Sequence, residues 1–475
     1  MGFMSSFQEG DTAADDARHY QSAAAAAVCA PGMPGPPRLR NLLDLPVMPA
    51  PDGRRSAQRA WCLYDWANSV FATSVVAAIL PVYFARTASH SMPAHEATAI
   101  WGYASAVALA ITAVLSPIVG ALADQSRRRK PVLLTCVLLG CAGTLALALT
   151  PAGQWSGLLA SFGVAFIAFA TGNVLYDSLL PAVAEADEMH AVSARGFAWG
   201  YIGGGVLLAF HLAIISMPER FGLGSAANAT RVAFASVAVW WFAFSLPMFR
   251  RVPEPEAERS GVPARQLPAA VFRQLGGTLR GLRSQPDLLR FLVAFWLYSD
   301  GIGTIIKMAT IYGVEVGLKD ADLMGALLMV QIVAAPTSIA FGRLARPLGA
   351  RGAVMVGIVG YAGISVFAYF LKSAWQFWAL AALVAMFQGG TQALSRSMFA
   401  SLVPREKSGE MFGFYSVSEK LAGVAGPVLF GLVTQATHGG RLATLTLLPL
   451  FLGGAWRLST VDLERGRRAA LAAQS

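Results

Sequence analysis

The chain has 475 residues, 55% of them hydrophobic and only 13% charged, with 37 lysines and arginines against 27 aspartates and glutamates. Soluble domains carry about a quarter of their residues as charges, so this composition excludes an ordinary water-soluble globule. The apolar residues fall in repeated blocks of roughly 20, the length that crosses a bilayer core as a helix, and no repeated alternation suggests an outer-membrane barrel.

Residues 1–55 read as a disordered cytoplasmic tail, with an alanine run at Ala23 to Ala27 followed by Pro31, Pro34, Pro36 and Pro37. Asp11, Asp15 and Asp16 precede its short apolar stretch, where a signal peptide would be basic. The Met1-Gly2 start with Ser6 matches a myristoylation pattern too short and common to carry weight.

Six apolar spans then fill 56–249, at 62–85, 100–123, 131–150, 156–180, 196–216 and 230–249. A polar cytoplasmic linker covers 250–289. Six further spans fill 290–462, at 290–314, 323–344, 352–371, 375–399, 411–434 and 443–461, and 463–475 forms a second cytoplasmic tail. The pattern predicts an all-α integral membrane protein of twelve transmembrane helices in two six-helix halves, related by duplication. Leu63-Tyr64-Asp65 is echoed by Leu297-Tyr298-Ser299-Asp300, and Gly172-Asn173 by Gly390-Thr391. Loops sharing a side with the N-terminus hold about two dozen basic residues, among them Arg127 to Lys130, against six on the other side, which places both termini in the cytoplasm. The same placement accounts for the net charge of +10, so no nucleic-acid partner is expected.

Ionisable residues within membrane spans are expensive and usually face a cavity or a partner. In the first span Asp65 and Asn68 share a helix face, near the cytoplasmic end. In the fourth, Asn173, Tyr176 and Asp177 cover one face, with Asp177 at a similar depth. These residues suit a gate or hydrogen-bond latch at the inner mouth, a helix tie, or proton coupling. In the seventh span Asp300 lies about ten residues in, near mid-membrane by the ~1.5 Å rise per residue, and Lys307 follows seven later. In the tenth, Gln388, Gln392 and Arg396 recur every four residues beside Gly389 and Gly390; in the eleventh, Glu419 and Lys420 are adjacent. Asp300, Lys307, Gln388, Gln392 and Asn68 are the candidate solute ligands. Asp65, Asp177, Tyr176, Arg396, Glu419 and Lys420 are candidates for gating or proton coupling. The rival reading of Asp300 is an internal pair with Lys307 or Lys420. Gly196, Gly200 and Gly204 repeat every four residues and mark a close-packing face.

Between spans two and three, Gly120 to Lys130 places a glycine, the carboxylate of Asp124 and a basic run holding Arg128 and Arg129. The glycine permits close packing, the carboxylate holds a neighbouring helix and the basic run anchors to the leaflet. This segment resembles the signature loop of the major facilitator superfamily, from which it departs at Gln125 and Arg127. Leu63 to Ser69, Tyr176 to Pro181, Gly200 to Gly204, Gln388 to Ser397 and Phe412 to Ser416 together resemble the "unknown major facilitator" family, which includes the fungal autophagy-related vacuolar amino-acid effluxers. The resemblance covers about residues 60 to 460. It implies the major facilitator fold, alternating access, a cavity lined by helices one, four, seven and ten, and amino-acid export.

The sequence thus predicts a secondary active or facilitative transporter of a small polar solute, driven by a proton gradient or by the solute's own. It would sit as a monomer in a bacterial inner membrane. A Walker segment is missing, which argues against ATP-driven pumping. A non-transporting receptor or scaffold would want a soluble domain that neither tail nor linker offers. An intramembrane enzyme would want a nucleophile with a base, or a metal cluster. The histidines, such as His211 and His438, are scattered, and Cys29, Cys62, Cys136 and Cys141 form no CxxC pair. No catalytic residue, metal or cofactor is expected.

Overall fold

The structure, a computed structural model, describes residues 51–88, 92–151, 153–254, 266–282, 285–315, 320–422, 425–437 and 440–472. The tail at 1–50 and the side chain of Lys307 lie outside the described residues. Among the described residues, eleven helical stretches are long and apolar enough to cross a membrane. One of them, Gly325–Tyr369, runs for 45 residues and contains two of the twelve expected spans.

The first span is α1 (Pro51–Val70), a π-helical stretch (Phe71–Ile79) and α2 (Leu80–Ala88). Spans two to six are α3 (Ala94–Ser126), α4 (Arg129–Leu149), α5 (Trp155–Ser178), α7 (Met189–Ser216) and α8 (Ala226–Arg251), with the short α6 (Leu180–Val183) after α5. Arg127, in the left-handed region at φ 54°, ends α3 and turns the chain into α4. The Ser225 hydroxyl caps α8 by accepting from Asn228 N at 3.2 Å.

The linker carries α9 (Leu267–Gly281). Beyond it come α10 (Pro286–Glu315), α11 (Asp320–Tyr369), α12 (Ala374–Leu402), α13 (Ser408–Leu421), α14 (Ala425–Thr437), α15 (Gly440–Leu445), α16 (Leu448–Ser459) and α17 (Leu463–Ala472). Inside α11, Gly349 sits at φ 69°, ψ 158°, two residues after Pro347, and breaks the helix between spans eight and nine. Span eleven is divided between α13 and α14.

Two details differ from expectation. The first helix begins at Pro51 rather than near 62, so Asp65 lies about four turns inside it. Polar partners extend it: Arg54 pairs with Glu185 at 2.6 Å, and Gln58 donates to Val183 O at 3.2 Å and Glu188 Oε2 at 2.9 Å. The linker also holds a helix rather than only polar chain. On α9, Gln274 bonds Gln125 of α3, and its Nε2 donates to Glu410 Oε2 of α13 at 2.6 Å.

Glycine sets how closely the helices cross. A Cβ on Gly200 would lie 2.5 Å from Ser69 Oγ, and one on Gly203 2.6 Å from Trp66 O, so α7 runs directly against α1. The halves meet in the same way. A Cβ on Gly413 of α13 would lie 2.5 Å from Pro117 Cα and 2.8 Å from Ser116 O of α3. Gly413→Ala should therefore force backbone apart and cost about 1–3 kcal/mol, read as a lower melting temperature in detergent. Gly163→Ala in α5, where nothing lies within 4 Å of the added carbon, should be neutral or stabilising.

Candidate functional site

Arg396 of α12 is 4% exposed, so its charge must be satisfied from within. Its own helix offers no acid to it. The partners come from the other half: Nη1 donates to Asp177 Oδ1 at 2.9 Å and Nη2 lies 3.4 Å from Asp65 Oδ2. Nε donates to Ser193 Oγ at 2.9 Å and Nη2 to Ser193 O at 3.0 Å. The guanidinium also lies 4.3 Å from the Phe197 ring centroid and 4.7 Å from that of Trp61, within cation–π range.

The acids are held in turn. Tyr176 OH donates to Asp65 Oδ2 at 2.7 Å, Trp61 Nε1 donates to Tyr176 O at 3.1 Å, and the Trp61 and Tyr176 rings stack at 4.5 Å. Gly196 makes room, since a Cβ there would lie 2.5 Å from Asp65 Oδ2 and 3.1 Å from Arg396 Nη2. Beside the cluster, Ser193 Oγ donates to Ala393 O at 2.7 Å and His190 Nδ1 lies 2.7 Å from Ser397 Oγ.

A second contact between the halves lies at the same end. Asp124 accepts from Arg129 Nε at 2.8 Å, from Gly409 N at 3.2 Å and from Glu410 N at 2.8 Å. The last two are first-turn amides of α13, which have no partner within their own helix and favour an anion. Arg129 Nη2 donates to Arg405 O at 2.9 Å and Glu406 O at 3.1 Å, and Ser408 Oγ donates to Ser178 O at 3.0 Å. We call this the terminal end of the bundle, because α1 starts there and α17 packs there, with Arg465 of α17 on Asp287 of α10 at 2.5 Å. Away from it, α2 packs on α3 and α5 of its own half and α14 on α10 and α15 of its own.

Next to the cluster lies a cavity of about 250 Å³. Phe166, Phe169, Phe412 and Tyr415 give it aromatic walls, and Asn173, Asp177, Ser416, Glu419 and Lys420 give it polar ones. Asp177 thus belongs both to the cavity and to the Arg396 cluster. Lys420 Nζ donates to Ser416 Oγ at 2.7 Å.

Asp65, Tyr176, Asp177 and Arg396 therefore meet, as do Gly120, Asp124 and Arg129 with the start of α13; Arg128 is exposed. Asn68 Nδ2 donates to Asn173 Oδ1 at 2.6 Å, tying α1 to α5. Asp300 Oδ2 accepts from Gly426 N at 2.8 Å, holding the first turn of α14, and the cavity lining named above does not include it. Gln388 lies beside Tyr201, and Gln392 is half-buried. Sequence reasoning missed Ser193, Phe197 and the aromatic walls. A buried arginine without an acid on its own helix was the available signal for a partner in the other half.

Arg396→Ala should leave Asp65 and Asp177 facing each other without a cation and cost about 3–5 kcal/mol. Adding Asp65→Asn and Asp177→Asn should recover most of that melting temperature, as followed by differential scanning fluorimetry. A triple variant no more stable than Arg396→Ala would contradict the pairing.

Residues 92–471 match the family described as "Vacuole effluxer Atg22 like". YxiO of Bacillus subtilis, an uncharacterized MFS-type transporter, is 37% identical over 409 residues, 86% of this chain and 95% of its own. Autophagy-related protein 22 of Yarrowia lipolytica is 29% identical over 320 residues, 61% of this chain and 54% of that protein, so the chain spans about half of this fungal relative. Among solved structures, the major facilitator transporter FucP in its outward conformation aligns with a TM-score of 0.65 at 12% identity, covering 86% of this chain and 99% of FucP. The human organic anion transporter MFSD10 aligns at 0.62 and 16% identity, over 86% of this chain and all of that one. At such identities the likeness shows the fold, the twelve-helix major facilitator arrangement. With the family match over most of its length, the chain is an integral membrane transporter of the major facilitator superfamily and belongs to the Atg22-like effluxer family.

Proposed function

We propose that the protein exports a small zwitterionic solute of the amino-acid class by alternating access, and that the terminal end is cytoplasmic and sealed in this conformation. The observation that carries the reading is the Arg396–Asp65–Asp177 cluster, which joins the halves beside a cavity furnished with both signs of charge. An amino acid presents an ammonium, a carboxylate and a side chain. Asp177 and Glu419 suit the first, Lys420 the second, Asn173 and Ser416 can donate or accept hydrogen bonds, and the aromatic walls suit an apolar side chain. On this reading the solute sits against α5 and α13 rather than on Asp300, Gln388 and Gln392. Export accords with the effluxer description of the matching family. The cytoplasmic assignment rests on the basic residues gathered at the terminal end, including Arg54, Arg127 to Lys130 and Arg405.

Counterflow in liposomes tests the function. Protein reconstituted with a panel of neutral L-amino acids should exchange at least one of them, and Lys420→Gln should cut that exchange about tenfold, the loss of a charge-assisted hydrogen bond. Folded wild-type protein that exchanges no member of the panel would contradict the solute class. In cells that make the protein, Ala270→Cys on α9 should resist an impermeant thiol reagent added from outside and react once the membrane is opened; ready labelling of intact cells would reverse the orientation.

A further inference from the structure

Asp177 has two environments at once. Its carboxylate pairs with Arg396 at 2.9 Å and also lines the cavity, and its side chain is 20% exposed, against 12% for Asp65 and 5% for Arg396. Asp65 differs in kind: the Tyr176 hydroxyl fixes it, and it is absent from the cavity lining named above. Arg396 therefore has one fixed anionic partner and one that a solute can reach. If Asp177 turned away, Arg396 would keep Asp65, both oxygens of Ser193 and the faces of Trp61 and Phe197.

We infer that the solute's ammonium group and Arg396 compete for the Asp177 carboxylate, so that solute binding releases the contact between the halves. The inference rests on the cavity being the solute site. An ammonium drawn to the acid wall of the cavity meets Asp177 there, while Arg396 is not among the lining residues. The solute binds more tightly when Asp177 is free to turn, so it shifts the population toward the released form by its difference in affinity for the two. Position favours transmission. Asp177 is the second-last residue of α5, and the next residue, Ser178, accepts from Ser408 Oγ at the start of α13. The adjoining amides of Gly409 and Glu410 are the ones held by Asp124 of the other half. Loosening the end of α5 therefore acts on the second contact as well. The charged groups facing Asp177 are Arg396, Asp65, Glu419 and Lys420, so a proton on Asp177 would also weaken the pair, and the test is made at one fixed pH.

The Gly409 and Glu410 amides report the release. Hydrogen exchange of the full chain in lipid nanodiscs is followed by mass spectrometry over residues 405–412. An equimolar mixture of neutral L-amino acids is compared with the N-acetyl derivatives of the same amino acids, which keep the carboxylate and side chain and lack the ammonium. Free amino acids should speed exchange of these amides at least fivefold, and the N-acetyl derivatives should leave it unchanged. Asp177→Asn should exchange fast without solute and respond to neither mixture, and Asp177→Glu should restore the response. If Asp177→Asn does not fold, the wild-type comparison decides. Amino acids that raise the melting temperature yet leave this exchange unchanged or slower would overturn the inference while sparing the site. Equal acceleration by the N-acetyl derivatives would overturn the role of the ammonium. No binding by either mixture would overturn the site and the inference together.

Discussion

A guanidinium inside an apolar bundle has to find negative partners, because water is not there to stabilise it and arginine does not give up its proton. In this chain the partners of Arg396 lie 219 and 331 residues away in sequence, in the opposite half. That demand orders the terminal end of the molecule. It fixes where α12 stands against α1, α5 and α7, it requires glycine at 196, and it brings Ser193 and His190 onto the backbone and side chains of α12. A buried ion pair is weak evidence for stability, since desolvation offsets much of the attraction. It is better suited to a contact that must hold in one state and break in another.

The second contact between the halves works by a different device. Asp124 does not need a cation on α13; it takes the unpaired amides at the helix start, and Arg129 balances its charge while reaching the carbonyls of Arg405 and Glu406. This is possible only because α3 and α13 cross at Gly120, Gly409 and Gly413 with no side chains between them. Sequence-local chemistry, a capped helix and a small-residue crossing, thereby becomes a contact between halves. The linker helix α9 adds a polar tie of its own, with Gln274 on both Gln125 and Glu410.

Much of the fold was legible because hydropathy periods are strong and the membrane leaves the chain few options. The twelve-span pattern, the glycine face of α7 and the carboxylate between spans two and three could all be read from local pattern. What could not be read depended on pairing between distant segments. The repeat of Gln388, Gln392 and Arg396 along one face suggested a shared role. In the structure Arg396 reaches the other half while Gln388 meets Tyr201. Asp300 looked like a mid-membrane ligand, yet its oxygen holds the Gly426 amide where span eleven is divided, and nothing in a hydropathy profile marks that division. Hydropathy alone starts the first span near 62, because Arg54 and Gln58 look like loop residues until Glu185 and Glu188 are set beside them.

The central claim is that Arg396 holds the halves together at the terminal end. It is tested most directly by the rate at which cysteines replacing His190 and Ser397, whose side chains meet at 2.7 Å, form a disulfide in native membranes. The pair should cross-link readily when Arg396 is present, and Arg396→Gln should slow the reaction tenfold or more. An unchanged rate in Arg396→Gln would show that the halves stay closed without it, and would contradict the account.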